Sequence, residues 1–139
     1  MLKKIDHLGI VVRDIEEALK VYRDTFGLEL AHIEEVPEYG AKVAFLPLGE
    51  SDLELIEPLS AEGSLAKFLE KRGEGLHHLC LAVEDIEAAL AELAARGLRL
   101  IDERPRPGGH GRRVAFLHPA SAHGVLIELV EESAEAGEN

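Results

Sequence analysis

The chain has one cysteine, Cys80, no tryptophan, and only four phenylalanines and two tyrosines among 139 residues. A single thiol excludes an internal disulfide framework and suits a reducing compartment. No apolar run approaches the roughly 20 residues of a membrane span. The basic start MLKK also lacks the apolar region of a secretion signal. The expectation is a cytoplasmic protein that engages no membrane. A basic excess is missing too, since 15 Lys and Arg face 27 Asp and Glu for a net charge of −12. Binding nucleic acid takes a basic face that neutralises phosphates, so no such partner is expected. Part of the acidic excess lies in EESAEAGEN, where residues 133–139 read as a disordered tail.

What is present is the mix of a globular domain, 46% hydrophobic and 30% charged, in a chain long enough for a real core. Its order is more informative than its composition, because the chain is written twice. IDHLGIVVRDIEEAL (5–19) aligns without a gap on LHHLCLAVEDIEAAL (76–90), which puts His7 on His78 and Asp14 on Asp85. The same offset lays VAFL (43–46) on VAFL (114–117). DLELIEPL (52–59) then answers VLIELVEE (125–132) once a few residues are inserted in the second copy. A repeat of this length and order is an architectural signature.

Each copy reads as strand, helix, then a set of strands. The expected division is a βαβββ module over 1–60, a linking helix within 61–74 (SLAKFLEKRG), and a second module over 75–132. Asp14 and Glu17 have the spacing of an N-cap and its N3 partner, opening a helix whose apolar stripe is Leu19, Tyr22 and Phe26. Asp85 opens the second helix and Gly97 stops it. AHIEEV, AKVAFLPL and DLELIEPL read as strands of the first module; RLIDERP, RRVAFLHP and GVLIELVE take those parts in the second. The fold class is α+β, two βαβββ units in tandem.

Strand parity separates the adjacent histidines of GLHHL. Side chains alternate faces, so His78 shares one with Cys80 and Ala82, while His77 lies with Leu79, Leu81 and Val83. In the first copy His7 shares a face with Gly9 and Val11, opposite Leu8, Ile10 and Val12. The large aliphatics pack on the helix, and the histidine face, with its small residues, leaves a hollow. His77 belongs to the helix side or the sheet edge. Glu54 and Glu128 are each flanked by aliphatics on a strand, which aims an acid either at solvent or into a polar pocket. Two histidines and two glutamates at repeat-equivalent places favour the pocket, because a pseudo-twofold axis brings all four towards one point. Two imidazoles and two carboxylates suit a divalent first-row metal with ligand positions left open.

The tandem units with His7, Glu54, His78 and Glu128 resemble the vicinal oxygen chelate superfamily. Within it, KIDHLGIVV, VAFLPLG, LELIEPL, KFLEKRGEGLHHL, VAFLHP and GVLIEL resemble the methylmalonyl-CoA epimerase family over about residues 4 to 130. The resemblance implies a curved, cup-like mixed sheet with helices on its outer face. It also implies His7, Glu54, His78 and Glu128 as ligands of one divalent metal (Co, Mn or Zn), and a homodimer. Val43 stands where some members carry a further catalytic glutamate, so their two-glutamate scheme does not transfer.

The implied reaction inverts the carbon between a thioester and a carboxylate, with enolate charge stabilised by the metal. Glu128 serves one face as ligand and base, and Glu54 or a bound water serves the other. For the CoA phosphates the candidates are Arg104, Arg106, Arg112 and Arg113, with Lys67, Lys71 and Arg72 on the linking helix. His118 and Cys80 read as structural. Three alternatives stand beside this one. A glyoxalase I-type lyase uses the same scaffold; an extradiol dioxygenase uses two histidines and one glutamate; a metal-free, bleomycin-resistance-like binding protein has no need of the four residues.

Overall fold

The computed structural model describes residues 1–132, so the expected tail at 133–139 lies outside the described residues. The chain divides into two compact units, His7–His77 and a second made of His78 onward with Met1–Asp6. The tandem βαβββ reading holds. The linking helix goes with the first copy, and the first six residues go with the second.

In the first unit the part of β1 (Leu2–Val11) from His7 onward leads into α1 (Ile15–Leu19), then β2 (His32–Val36), β3 (Ala41–Leu48), β4 (Ser51–Pro58) and α2 (Ser64–Arg72). The strand order is β2-β3-β4-β1, with β4 parallel to β1 and antiparallel to β3. Val12, Ile15, Leu19, Ala44, Leu46 and Leu55 form the layer between α1 and the sheet, and Ile10 packs against it. The helix-facing parity expected for Ile10 and Val12 is therefore correct. The opposite face is less hollow than expected. Val11, Val43, Phe45 and Ile56 fill part of it, and α2 closes over them through Leu65.

The second unit repeats the plan with β5 (Gly75–Val83), α3 (Ile86–Ala95), β6 (Arg106–Pro107), β7 (Arg113–Leu117) and β8 (Ile127–Glu131). Its order is β5-β8-β7-β6, with β8 parallel to β5 and antiparallel to β7. Val83, Ile86, Leu90, Leu117 and Leu129 make the layer under α3. Among the described residues no helix is long and apolar enough to cross a membrane.

Three local expectations need correction. Asp14 caps α1 by accepting the Glu16 N–H at 2.9 Å, but Glu17 is not its partner. Glu57 of β4 accepts the Ile15 N–H at 2.8 Å instead, while Glu17 pairs with Lys20. Second, α1 runs into a π-helical segment, Lys20–Thr25, in which the Phe26 N–H reaches back five residues to Val21. The wider turn breaks the 3.6-residue period. Leu19 is buried and Tyr22 half-buried, but Phe26 is 64% exposed and meets the Tyr22 ring at a right angle.

Third, RLIDERP is not a strand over 99–105. It makes one bridge, Leu100 to Leu117, and then the N–H groups of both Ile101 and Asp102 donate to the Phe116 carbonyl. The Asp102 carboxylate accepts the Phe116 N–H at 2.8 Å, displacing the backbone partner a ladder needs. Pairing resumes only at Arg106.

The two helices share an unexpected support. Glu131 accepts the Ile86 N–H at 3.1 Å, as Glu57 does for Ile15. Arg113 grips Glu131 at 2.8 Å and Glu87 at 3.1 Å.

Two outcomes follow for stability. Leu55 is fully buried, so Leu55→Ala is expected to cost roughly 2–5 kcal/mol in urea denaturation; a loss well under 1 kcal/mol would contradict this packing. Arg113, and then the Ile86 N–H, hold the Glu131 carboxyl below its ordinary 4.5. A depressed carboxyl stabilises fully above that value, and the contribution vanishes as pH falls through the native value. Arg113→Met should therefore melt lower than the parent at pH 7, with the gap closing below pH 4.5.

Candidate functional site

β1 presents His7 on the face it shares with Gly9 and Val11. The parallel register sets Gly9 beside Glu54 of β4, and the antiparallel register sets Glu54 beside Phe45 of β3. In the second unit Cys80 stands beside Glu128, and Glu128 beside Phe116. Cys80 and Phe116 are the repeat partners of Gly9 and Phe45, so two independent registers make Glu54 and Glu128 equivalent. The inserted residues lie between β7 and β8, where the 3-10 turn Pro119–Ala122 replaces a tight hairpin. His118 caps that turn by accepting the Ala120 N–H at 3.0 Å, the structural role expected of it.

Each unit thus carries its own histidine–glutamate pair. His7 Nδ1 lies 3.0 Å from Glu54 Oε2, and His78 Nε2 lies 3.0 Å from Glu128 Oε1. All four residues are buried, between 6% and 9% exposed. That rules out the solvated-face reading of the glutamates. A carboxylate out of water is costly unless it is paired, and each of these has a histidine beside it. The two rings differ in the nitrogen they offer, one departure from strict repeat symmetry.

The phenylalanines of the two VAFL segments line the histidine–glutamate pairs. Phe45 stacks on His32 with ring centroids 4.5 Å apart. Phe116 meets the His78 ring edge-on at 6.0 Å and carries the Arg106 guanidinium 5.3 Å from its centroid. Their position was available from the sequence, since a residue directly across from a pocket glutamate on an antiparallel strand shares its face. His77 lies off the pair, edge-on to Phe68 of α2 at 4.9 Å. Val43 is buried in the apolar cluster with Val11, Ile56 and Leu65. Cys80 is fully buried.

The candidate phosphate-binding cations separate into classes. Arg112 makes a two-pronged pair with the buried Asp6, at 2.9 and 3.0 Å. This ties the loop around His110 to β1, and the Gly108 N–H closes the loop on the Arg112 carbonyl at 2.8 Å. Arg113 is held by Glu131 and Glu87. These two arginines act as clamps. Arg104, Lys67, Lys71 and Arg72 are exposed, with Arg72 over the Phe68 ring. Arg106 is held differently, by Asp102 and Phe116.

Comparison with known proteins agrees with this architecture. Residues 6–116 match the model of the glyoxalase/bleomycin resistance protein/dioxygenase superfamily. The ethylmalonyl-CoA/methylmalonyl-CoA epimerase of Cereibacter sphaeroides is 40% identical over 131 residues, which is 93% of this chain and 98% of that protein. Among solved structures, a Streptomyces coelicolor methylmalonyl-CoA epimerase variant in complex with 2-nitronate-propionyl-CoA is 38% identical. It superposes with a TM-score of 0.91 over 96% of this chain and 97% of that one. The Mycobacterium tuberculosis methylmalonyl-CoA epimerase is 36% identical, with a TM-score of 0.91 over 99% and 93%. The chain therefore belongs to the glyoxalase/bleomycin resistance/dioxygenase superfamily and, within it, to the methylmalonyl-CoA epimerase family, a family of isomerases.

Proposed function

We propose that this protein interconverts (R)- and (S)-methylmalonyl-CoA with the help of one divalent cation held by His7, Glu54, His78 and Glu128. The observation that carries the reading is the pair of repeat-equivalent, buried histidine–glutamate contacts. Nitrogen and oxygen donors at about 2.1 Å from one first-row ion, at right angles, are about 3 Å apart. The two pairs have that spacing, 3.0 Å in each. The donor set fits a borderline cation such as Co, Mn or Zn and does not choose among them. When bound, such an ion polarises the thioester carbonyl and makes the neighbouring C–H acidic enough for a carboxylate to remove its proton.

The chain's own residues then have separate tasks. Glu128 is buried beside His78, where a carboxylate is shielded from bulk water, and it takes the proton from one face of the α-carbon. Glu54 or a bound water returns a proton on the other face. Val43 sits among aliphatic side chains, so position 43 supplies no base. The exposed Arg104, Lys67 and Lys71 are the cations left for the CoA phosphates. We place the protein in the cytoplasm as a homodimer.

The test is metal content followed by proton exchange. Purified protein should hold about one divalent ion per chain, and chelation should abolish solvent-deuterium exchange into methylmalonyl-CoA. Glu128→Gln is expected to lower exchange from at least one epimer by about 10²–10⁴-fold. Unchanged exchange from both epimers would remove Glu128 from the mechanism. Turnover of a glutathione hemithioacetal without exchange would make the protein a lyase.

A further inference from the structure

Among the places where the two copies differ in charge, one lies beside Val43 and its repeat partner. In the first unit the residue across from Val43 is Glu34; in the second, the residue across from Val114, the repeat partner of Val43, is Arg106. Residues directly opposite on antiparallel strands share a face. Arg106 and Val114 therefore face the same way, as do Val114 and Phe116, two apart on β7. Phe116 stands opposite Glu128, which shares its face with His78 through the pairing with Cys80. Register alone puts Arg106, Phe116, Glu128 and His78 on one face of the second unit.

The guanidinium is also held in place. Asp102 lies 3.4 Å from Arg106 Nε while accepting the Phe116 N–H at 2.8 Å, so one carboxylate sets both groups. The guanidinium rests on the Phe116 ring at 5.3 Å, and the same ring abuts His78. The Arg106 side chain remains 44% exposed. A planar cation fixed by an acid and a ring, one ring away from a buried histidine–glutamate pair, is pre-organised to receive an oxyanion.

We propose that Arg106 binds the free carboxylate of the acyl group and thereby selects α-carboxyacyl thioesters over neutral acyl-CoAs. This rests on the reading of the protein as an epimerase of such thioesters. The carboxylate is the right anion because it is attached to the reacting carbon, whereas the CoA phosphates lie beyond the pantetheine arm. Glu34, at the equivalent place in the first copy, carries the opposite charge and would repel an anion.

The test is calorimetric binding to the metal-loaded protein, using methylmalonyl-CoA, methylmalonate and free CoA as probes, with kcat and KM measured alongside. Arg106→Gln should weaken methylmalonyl-CoA and methylmalonate at least tenfold and leave CoA within twofold. KM should rise more than kcat falls, and Arg106→Lys should recover part of the affinity. An equal loss for free CoA would assign Arg106 to a phosphate and overturn the proposal. Unchanged binding of all three probes would overturn it too, leaving Arg106 as packing on Phe116. If the unsubstituted protein bound CoA but neither methylmalonyl-CoA nor methylmalonate, the epimerase reading itself would fall.

Discussion

The constraint on which the rest depends is the parallel pairing of the first and last strands within each copy. It sets Gly9 beside Glu54 and Cys80 beside Glu128, so each histidine, two residues back along its strand, reaches the glutamate across the pairing. A shift of one residue in either pairing would turn the glutamate to the aliphatic face. The aliphatic layers under α1 and α3 resist that shift, because a slip would also expose Leu55 or Leu129. The apolar core thus pins polar side chains whose burial opposes folding.

Acidic residues outnumber basic ones by 27 to 15, and the structure shows several of them at work locally. Glu57 and Glu131 reach from the end of each module to the first turn of its helix, where free N–H groups and the helix dipole favour a carboxylate. Asp6 holds Arg112, Asp102 aligns Arg106 and Phe116, and Glu54 and Glu128 face histidines.

Departures from the repeat are as informative as the repeat. The π-helical segment after α1, the 3-10 turn before β8, the different ring nitrogens and the exchange of Glu34 for Arg106 all break equivalence. The charge exchange breaks the equivalence without moving the residues that are alike in both copies.

Much of this was legible in the sequence. The alternation that separates His78 from His77 and the caps at Asp14 and Asp85 depend on residues within a few positions of one another, and the offset of His7 and His78 appears on laying one stretch of the chain over another. Local periodicity and N-cap chemistry report them directly. Other features depend on partners tens of residues away and had no local signal. Glu57 and Glu131 cap helices about forty residues upstream, Asp102 takes a backbone N–H that ends a strand, and the π-helical turn rotates Phe26 into solvent. The sequence by itself determined which residues alternate, repeat and begin helices, because those are short-range properties of the chain. Only the tertiary structure decided that both glutamates are buried at 3.0 Å from a histidine and that Arg106 stands where Glu34 stands in the other copy. Burial and strand register are set by distant segments packing together.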